Sequence, residues 1–595
     1  MPRRRLVRAL FLLGALVVCW AIVVMWTGGV LTYVGGIRIS SRAPRNIVAL
    51  AVVCLVFTWA LGVPGHRVQT LAAEYRWLVD RLARLVPRVP PAWLIAGIAV
   101  IGTVTVGFVE GAFVAGGSDS YGYVSQAHLW SIGRLRQEPV LRRPLATEVS
   151  LDALAPLGYR PTVDGQTIAP TYSPGLPIVM AIFERLAGRY MVFWVVPIFG
   201  GALVWLTYLF GARLYGAGLG AVAAVLVSTS PPALIQLTTA PLSDVATAVW
   251  WTLSFLLITH DRRVAALGAG AAAGAAILTR PNLVPLLAVA LAFIAARLIS
   301  AQRPVRELGQ HVILFAILPI PACVAIALLN RVLWGSVLQS GYGSLTDLFS
   351  LSNIWPNLLL YPRVVATLIP VALLAPVVFF TFRDAGGSVN GDRVTIVAFS
   401  AWIAVVVAVY LPFPAYDSAW NLRFLLPAIA PLLLMATVAA RSLASTRVER
   451  HTVAGVIVVA IVCGYGVHRA RKSGAFATEY LQRFSAIGEY IDRELPQNAV
   501  LLAMAHSGSA TYYSGRPTLR YDLLPPSRLD RVVDMLRERG YVPYLVLDST
   551  ERADFQTYYR GSSPLAALDW SPLVTMRSPP VEIYSLGTSL APLEK

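Results

Sequence analysis

Charge is what this sequence has least of. Only 13% of its 595 residues are Asp, Glu, Lys or Arg, against roughly 25% in an ordinary soluble domain, which excludes a soluble globular enzyme. Hydrophobic residues make up 56% and mean hydropathy is +0.64, too apolar for a disordered or fibrous chain. Cysteine is scarce as well. Cys19, Cys54, Cys323 and Cys463 lie far apart inside apolar runs, which excludes a disulfide framework and cysteine-based metal spacing. The seven His are dispersed with no His/Cys cluster, so no metal site is expected from them. Lysine occurs only at Lys472 and Lys595, leaving Arg to carry the net charge of +18. In a soluble chain that excess would point to nucleic acid. Here the Arg interrupt apolar runs, so they read as orientation signal plus an anionic-lipid surface, with no nucleic-acid partner.

What the sequence has in abundance is apolar runs of membrane length. A helix crosses the hydrocarbon core in ~17 to 25 residues, and thirteen stretches qualify: approximately 9–26, 47–63, 92–109, 190–212, 215–237, 241–259, 264–279, 283–299, 312–329, 364–382, 394–412, 424–440 and 452–467. The run at 264–279 is rich in Ala and Gly, which suits close helix packing. With the N-terminus inside, the cytoplasmic segments collect nineteen Arg, from Arg3 to Arg450, whereas the short outer loops hold seven: Arg38, Arg42, Arg45, Arg280, Arg331, Arg363 and Arg423. This positive-inside bias sets the orientation. It places 110–189, 330–363 and 468–595 on the outer face. The last of these is polar, with strand-like AVLLAMA (499–505), TLRYD (518–522) and PYLVLDS (543–549). Leu529, Val532, Val533 and Leu536 add a helical pattern, so the segment reads as a small α/β domain.

Scarce charges near span ends are the candidates for chemistry. The first large outer segment opens with EGAFVAGGSDSYGYVSQAHLW, in which SDS offers a helix N-cap. Tyr121, Val124, Leu129, Ile132 and Leu135 follow near helical spacing, as in an amphipathic helix lying on the outer interface. Asp119 opens this helix, either as a cap accepting backbone N–H bonds or as a functional carboxylate. Asp244 sits one turn inside the sixth span, where a carboxylate is costly unless it merely answers the helix dipole. Arg280 and Asn282 lie between the seventh and eighth spans, and Arg423 opens the twelfth; either Arg would otherwise be a snorkelling anchor. All five fall on one face.

Short motifs sharpen this pattern: SDSYGYVSQA, YSPGLP at 172–177, PLSD at 241–244, TRPN at 279–282 and NLRFLLPA at 421–428, with a polar domain after the last span. On these the chain resembles GT-C-type integral-membrane glycosyltransferases, the broad group that includes protein mannosyltransferases and the Rgt-like bacterial enzymes. The resemblance covers roughly 92–595 and implies a multi-pass α-helical membrane protein of about thirteen transmembrane helices with a small C-terminal extracytoplasmic α/β domain. It divides the chain into 1–91, two extra N-terminal helices and a cytoplasmic loop, then 92–467, the catalytic membrane region with its outer loop 110–189, and finally 468–595. In that family an acidic residue of the first outer loop is the base, and the donor is a polyprenyl-phosphate-linked sugar. Many relatives carry two adjacent acids there, whereas Asp119 is followed by Ser120.

The expected activity is transfer of a sugar from a polyprenyl-phosphate donor to an acceptor hydroxyl of a glycan, lipid or protein at the outer face of the cell membrane, with inversion. A departing lipid phosphate needs cations or hydrogen-bond donors, which Arg280 or Arg423 supplies. The acceptor hydroxyl needs a base, assigned to Asp119. Asp244 and Asn282 orient substrate, and Tyr121, Tyr123, His128 and Tyr172 are either sugar contacts or part of an aromatic interfacial belt. No cofactor is required by these residues; a divalent ion between Asp119 and the donor phosphate stays open. The rival reading is a polytopic transporter or flippase of lipid-linked saccharides, which would place its charges at the bilayer midplane and not at outer span ends.

Overall fold

The computed structural model describes residues 2–27, 31–34, 37–40, 44–62, 67–83, 90–145, 148–381, 390–414, 422–443, 452–577 and 580–586. Arg42, Arg84, Arg88, Arg383, Arg447, Arg450 and Asn421 of the sequence reading lie outside them. The chain is a multi-pass helical membrane protein. Six described helices are long and apolar enough to cross a bilayer: Ala92–Val109, Arg189–Tyr215, Pro281–Ser300, Val305–Trp334, Arg393–Tyr410 and Leu422–Leu443. Two bent pairs, Ala217–Ser228 with Pro231–Thr239 and Thr346–Leu368 with Pro370–Val377, raise the number to eight, and shorter apolar helices lie at Ala49–Ala60, Ser243–Ile258 and Arg263–Thr279.

Small residues let these helices approach closely. A Cβ on Gly220 would stand 2.5 Å from the Tyr208 carbonyl oxygen, and one on Gly270 would stand 2.1 Å from that of Phe315. The Ala/Gly-rich helix Arg263–Thr279 is therefore packed backbone to backbone, as its composition implied. Between the helices the core is aromatic, with Phe255 stacked on Trp402 at 4.2 Å between centroids. The span expected at 364–382 is broken: helix Ile354–Leu368 ends before Pro370 and the chain turns by 111°. Proline disfavours helical geometry in the residue before it, and Ile369 has φ −134° and ψ 61°.

Helix Asp119–Ser131 corrects a second expectation. It does not lie on the interface, because every residue from Ser120 to Ala127 is buried, on polar and apolar sides alike. Helix Gly175–Ala187 covers one side and helix Ser507–Ser514 the other. The helix with an uncovered apolar stripe is Gly175–Ala187, where Ile178, Ile182 and Leu186 are exposed at successive turns, a pattern suited to the bilayer interface.

Residues 499–586 form a five-stranded sheet in the order Thr518–Leu519, Ala499–Ala503, Val542–Asp548, Pro580–Ser585, Val574–Arg577. The first two pairings are parallel and the last two antiparallel. Alternation along a strand sends Leu501 and Val546 toward helix Glu479–Glu494, and Val500, Leu502 and Leu545 toward helix Leu529–Glu538. Leu141, Leu145 and Leu154 of the first large loop complete that second layer. The sheet and the loop that follows helix Ala92–Val109 thus share one core.

Candidate functional site

A cavity of about 720 Å³ opens where five of the singled-out stretches meet. Asp119, Tyr172, Asp244, Arg280, Asn282 and Arg423 all line it. Glycine makes the convergence possible. A Cβ on Gly122 would stand 1.9 Å from the Tyr172 ring, and one on Gly175 would meet Thr279 Oγ1 at 2.3 Å, so SDSYGYVSQA, YSPGLP and TRPN fit together only with glycine at these two points.

Asp119 does not use its side chain as a cap. Ser118, the residue before the helix, has helical dihedrals and makes no side-chain cap bond. Tyr172 hydroxyl donates instead to Asp119 Oδ1 at 3.0 Å, and Ser118 Oγ lies 2.8 Å from the same hydroxyl. Burial, and then the charge of Asp119, pushes the Tyr172 phenol above its ordinary value. It therefore stays protonated as a donor, and Ser118 donates to it in turn. Gln126 Nε2 holds the Tyr172 backbone carbonyl at 3.1 Å. The other carboxylate oxygen of Asp119 lies 3.3 Å from Arg423 Nη1. Among the residues described here Asp119 is the one acid of the first large loop that lines the cavity.

Asp244 and Arg280 form the second pair, with Arg280 Nη2 2.8 Å from Asp244 Oδ1. Asp244 is fully buried in the first turn of its helix. Arg280 is engaged along its whole guanidinium: Nε donates to Ser243 Oγ at 3.2 Å and Nη1 to the Tyr410 hydroxyl at 2.6 Å. The ring of Phe424 lies 5.5 Å from its central carbon. Tyr123, whose phenol burial pushes up to about 12 against the opposing charge of Arg280, remains a donor and bonds Ser243 Oγ at 2.9 Å. Arg280 thus ties helix Ser243–Ile258 to helix Asn390–Tyr410, and Ser243 ties it to helix Asp119–Ser131. Ser243 belongs to PLSD, but Tyr410 closes an apolar span and carried no signal in the sequence.

Two expected substrate contacts are corrected. Tyr121 faces away from the cavity, packed on Gly508 and 5.6 Å from the Tyr159 ring. His128 bonds Glu184 at 2.7 Å through Nδ1 and pins its helix to Gly175–Ala187. Both lie on faces of the helix turned from Asp119, because 100° separates successive residues. Tyr342, unnoticed in the sequence, lines the cavity and meets the Tyr172 ring edge-on at 5.7 Å.

Much of the remaining lining is apolar: Ile326, Leu329 and Leu333 of helix Pro319–Trp334, with Val337 and Leu338 beyond it. Such a cavity suits a ligand with one anionic and one hydrocarbon part. No group of three or more His, Cys, Asp or Glu able to hold a metal ion occurs among the described residues.

No protein family and no curated protein matches the chain in sequence. Solved structures do match in shape. ArnT from Cupriavidus metallidurans bound to undecaprenyl phosphate superposes with a TM-score of 0.55 at 14% identity, over 84% of this chain and 99% of that one. Its apo state gives 0.54 at 14%, over 82% and 97%. An oligosaccharyltransferase from Archaeoglobus fulgidus matches with 0.47 at 11%, over 81% and 73%. The chain has the fold of ArnT, in accord with the GT-C resemblance of its motifs.

Proposed function

We propose that the protein is a membrane glycosyltransferase that moves a sugar from a polyprenyl-phosphate donor to an acceptor hydroxyl on the extracytoplasmic face. The observation that carries this reading is the cavity itself, lined by two carboxylates, Asp119 and Asp244, by two guanidiniums, Arg280 and Arg423, and by an apolar stretch. The fold shared with ArnT, whose structure holds undecaprenyl phosphate, supports a lipid-phosphate donor. In the proposed step the acceptor oxygen attacks the anomeric carbon while Asp119 takes its proton. The bond from that carbon to the phosphate oxygen breaks, and the lipid phosphate leaves with the electron pair. Arg423 meets the developing charge, and a single displacement inverts the anomeric centre.

Arg280 is assigned a different task from Arg423. Each of its guanidinium nitrogens already serves the protein, so with Asp244 it shapes the polar end that Asn282 and Tyr172 complete. The outer loop 110–189 and the C-terminal α/β unit together form the extracytoplasmic side. The decisive experiment supplies purified protein in proteoliposomes with polyprenyl-phosphate sugars and follows both glycosyl transfer and movement of the lipid across the bilayer. Transfer is expected, and Asp119→Asn should lower it by about 100-fold or more while leaving donor binding intact. Lipid movement without transfer would replace this reading with a flippase.

A further inference from the structure

The segment that carries Asp119 is held from outside the membrane. Its upstream end is tied to the membrane helices, where the Ala112 N–H donates to the Thr238 carbonyl at 3.0 Å. Between there and helix Asp119–Ser131 the chain passes through Gly116 and Gly117, and Gly117 has φ +59° with open space where a Cβ would stand. Two successive glycines give the backbone more freedom than any other pair, two and three residues before the proposed base.

Three contacts remove that freedom, and all come from residues 479–514. The Ala115 N–H donates to the Tyr513 hydroxyl oxygen at 2.9 Å. The ring of Phe484 lies so close to Gly116 that a Cβ there would stand 2.4 Å from it. Beyond Asp119, Tyr121 is seated on Gly508, where a Cβ would be 2.2 Å from its ring. Asp119 is thus bracketed at 115, 116 and 121 by helices Glu479–Glu494 and Ser507–Ser514, which pack on each other with Tyr513 against Gly488. Helix Ser507–Ser514 is itself anchored to the first large loop, because the Leu157 N–H donates to Ser507 Oγ at 3.0 Å and Arg189 lies over the Tyr512 ring at 4.0 Å.

We infer that the C-terminal α/β unit positions Asp119, with Tyr513 and Phe484 as positioning residues that fix the Gly116–Gly117 segment. This rests on the proposed role of Asp119 as base. A carboxylate that must meet an attacking hydroxyl loses rate steeply when its backbone wanders, while donor binding, which depends on Arg423 and the apolar wall, does not change.

Tyr513→Phe in the full-length protein tests it, since the ring stays packed on Gly488 and only the hydroxyl is lost. Leaving the Ala115 N–H unpartnered should lower kcat about tenfold, with donor KM within about twofold of wild type and faster amide exchange across 112–121. Unchanged kcat and exchange would overturn the inference, as would a rise in KM that matches the fall in kcat. Gly116→Ala, which pushes against Phe484, is the second variant and should show the same split; wild-type kcat in it would count equally against the inference. Asp119→Asn separates the two ideas. If that variant transfers sugar normally, the function fails; if it is inactive while Tyr513→Phe matches wild type, only the positioning fails.

Discussion

Asp119 and Arg423 are 304 residues apart in the chain, and their side chains stand 3.3 Å from each other inside the cavity. The carboxylate accepts from Tyr172 on its other oxygen. One residue pair therefore joins the proposed proton acceptor to the proposed phosphate contact. Because Arg423 comes from the 3-10 helix Leu422–Ala428 and Asp119 from the start of helix Asp119–Ser131, the site exists only when both ends of the membrane region are assembled.

Reversing the charge at Arg423 separates binding from chemistry. Arg423→Glu places a carboxylate where the donor phosphate is proposed to lie, and loss of a charge-assisted contact should raise donor KM by about tenfold or more. Initial rates against donor concentration measure it. A donor KM equal to that of wild type would remove the phosphate-binding role.

Asp244 and Arg280 should behave as a stability pair. Removing one partner of a buried ion pair strands the other and costs about 3 to 5 kcal/mol, so Asp244→Asn should lower the thermal unfolding midpoint in detergent. Replacing both with apolar residues of similar volume, Asp244→Leu with Arg280→Met, should recover much of that loss. Arg280→Lys should not substitute, because a point charge does not reproduce the planar fork that reaches Asp244, Ser243 and Tyr410 together.

The C-terminal unit should weaken in mild acid. His506 is fully buried with the Phe484 ring 4.7 Å away, and Asp548 lies 3.7 Å from its Nε2. Burial holds the imidazole below its ordinary value even though Asp548 opposes the shift. A His whose folded value is depressed binds its proton more readily in the unfolded chain, so stability falls as pH drops below about 6.5. Asp548 shifts downward too, His506 and Arg483 outweighing its burial. Its contribution is present above about 3.9 and is lost as pH falls below that. Protection of amides 499–548, taken relative to their intrinsic exchange rates at each pH, should therefore be lower at pH 5.5 than at pH 7.5, and His506→Phe should flatten the difference. An unchanged pH dependence in that variant would refute the assignment.

Much of the site was legible beforehand because charge is so rare in this chain. Asp119, Asp244, Arg280 and Arg423 stood out at span ends, and the cavity contains all four. What misled was periodicity. Tyr121, Val124 and Leu129 recur as in an interfacial helix, yet polar Ser125 and Gln126 are buried beside them, where Ser125 Oγ donates to the Gly122 carbonyl and Gln126 Nε2 to that of Tyr172. Tyr410 and Tyr342 were invisible for the opposite reason: an aromatic residue in an apolar run or a short loop has no local feature that reveals its partner. The hairpin Val574–Arg577 and Pro580–Ser585 was likewise missed, its short strands lacking the apolar runs of the three earlier ones.

The sequence by itself determined the solvent of this protein. A 13% charged fraction and repeated apolar runs require a bilayer, since transfer free energy is a sum over residues and does not depend on how they are arranged. Pairing is different in kind. Which carboxylate meets which guanidinium, and which surface steadies Gly116 and Gly117, depends on distances of a few ångströms between residues hundreds apart, as between Ala115 and Tyr513. Hydrogen bonds and ion pairs act only at such range, so the tertiary structure alone decided them.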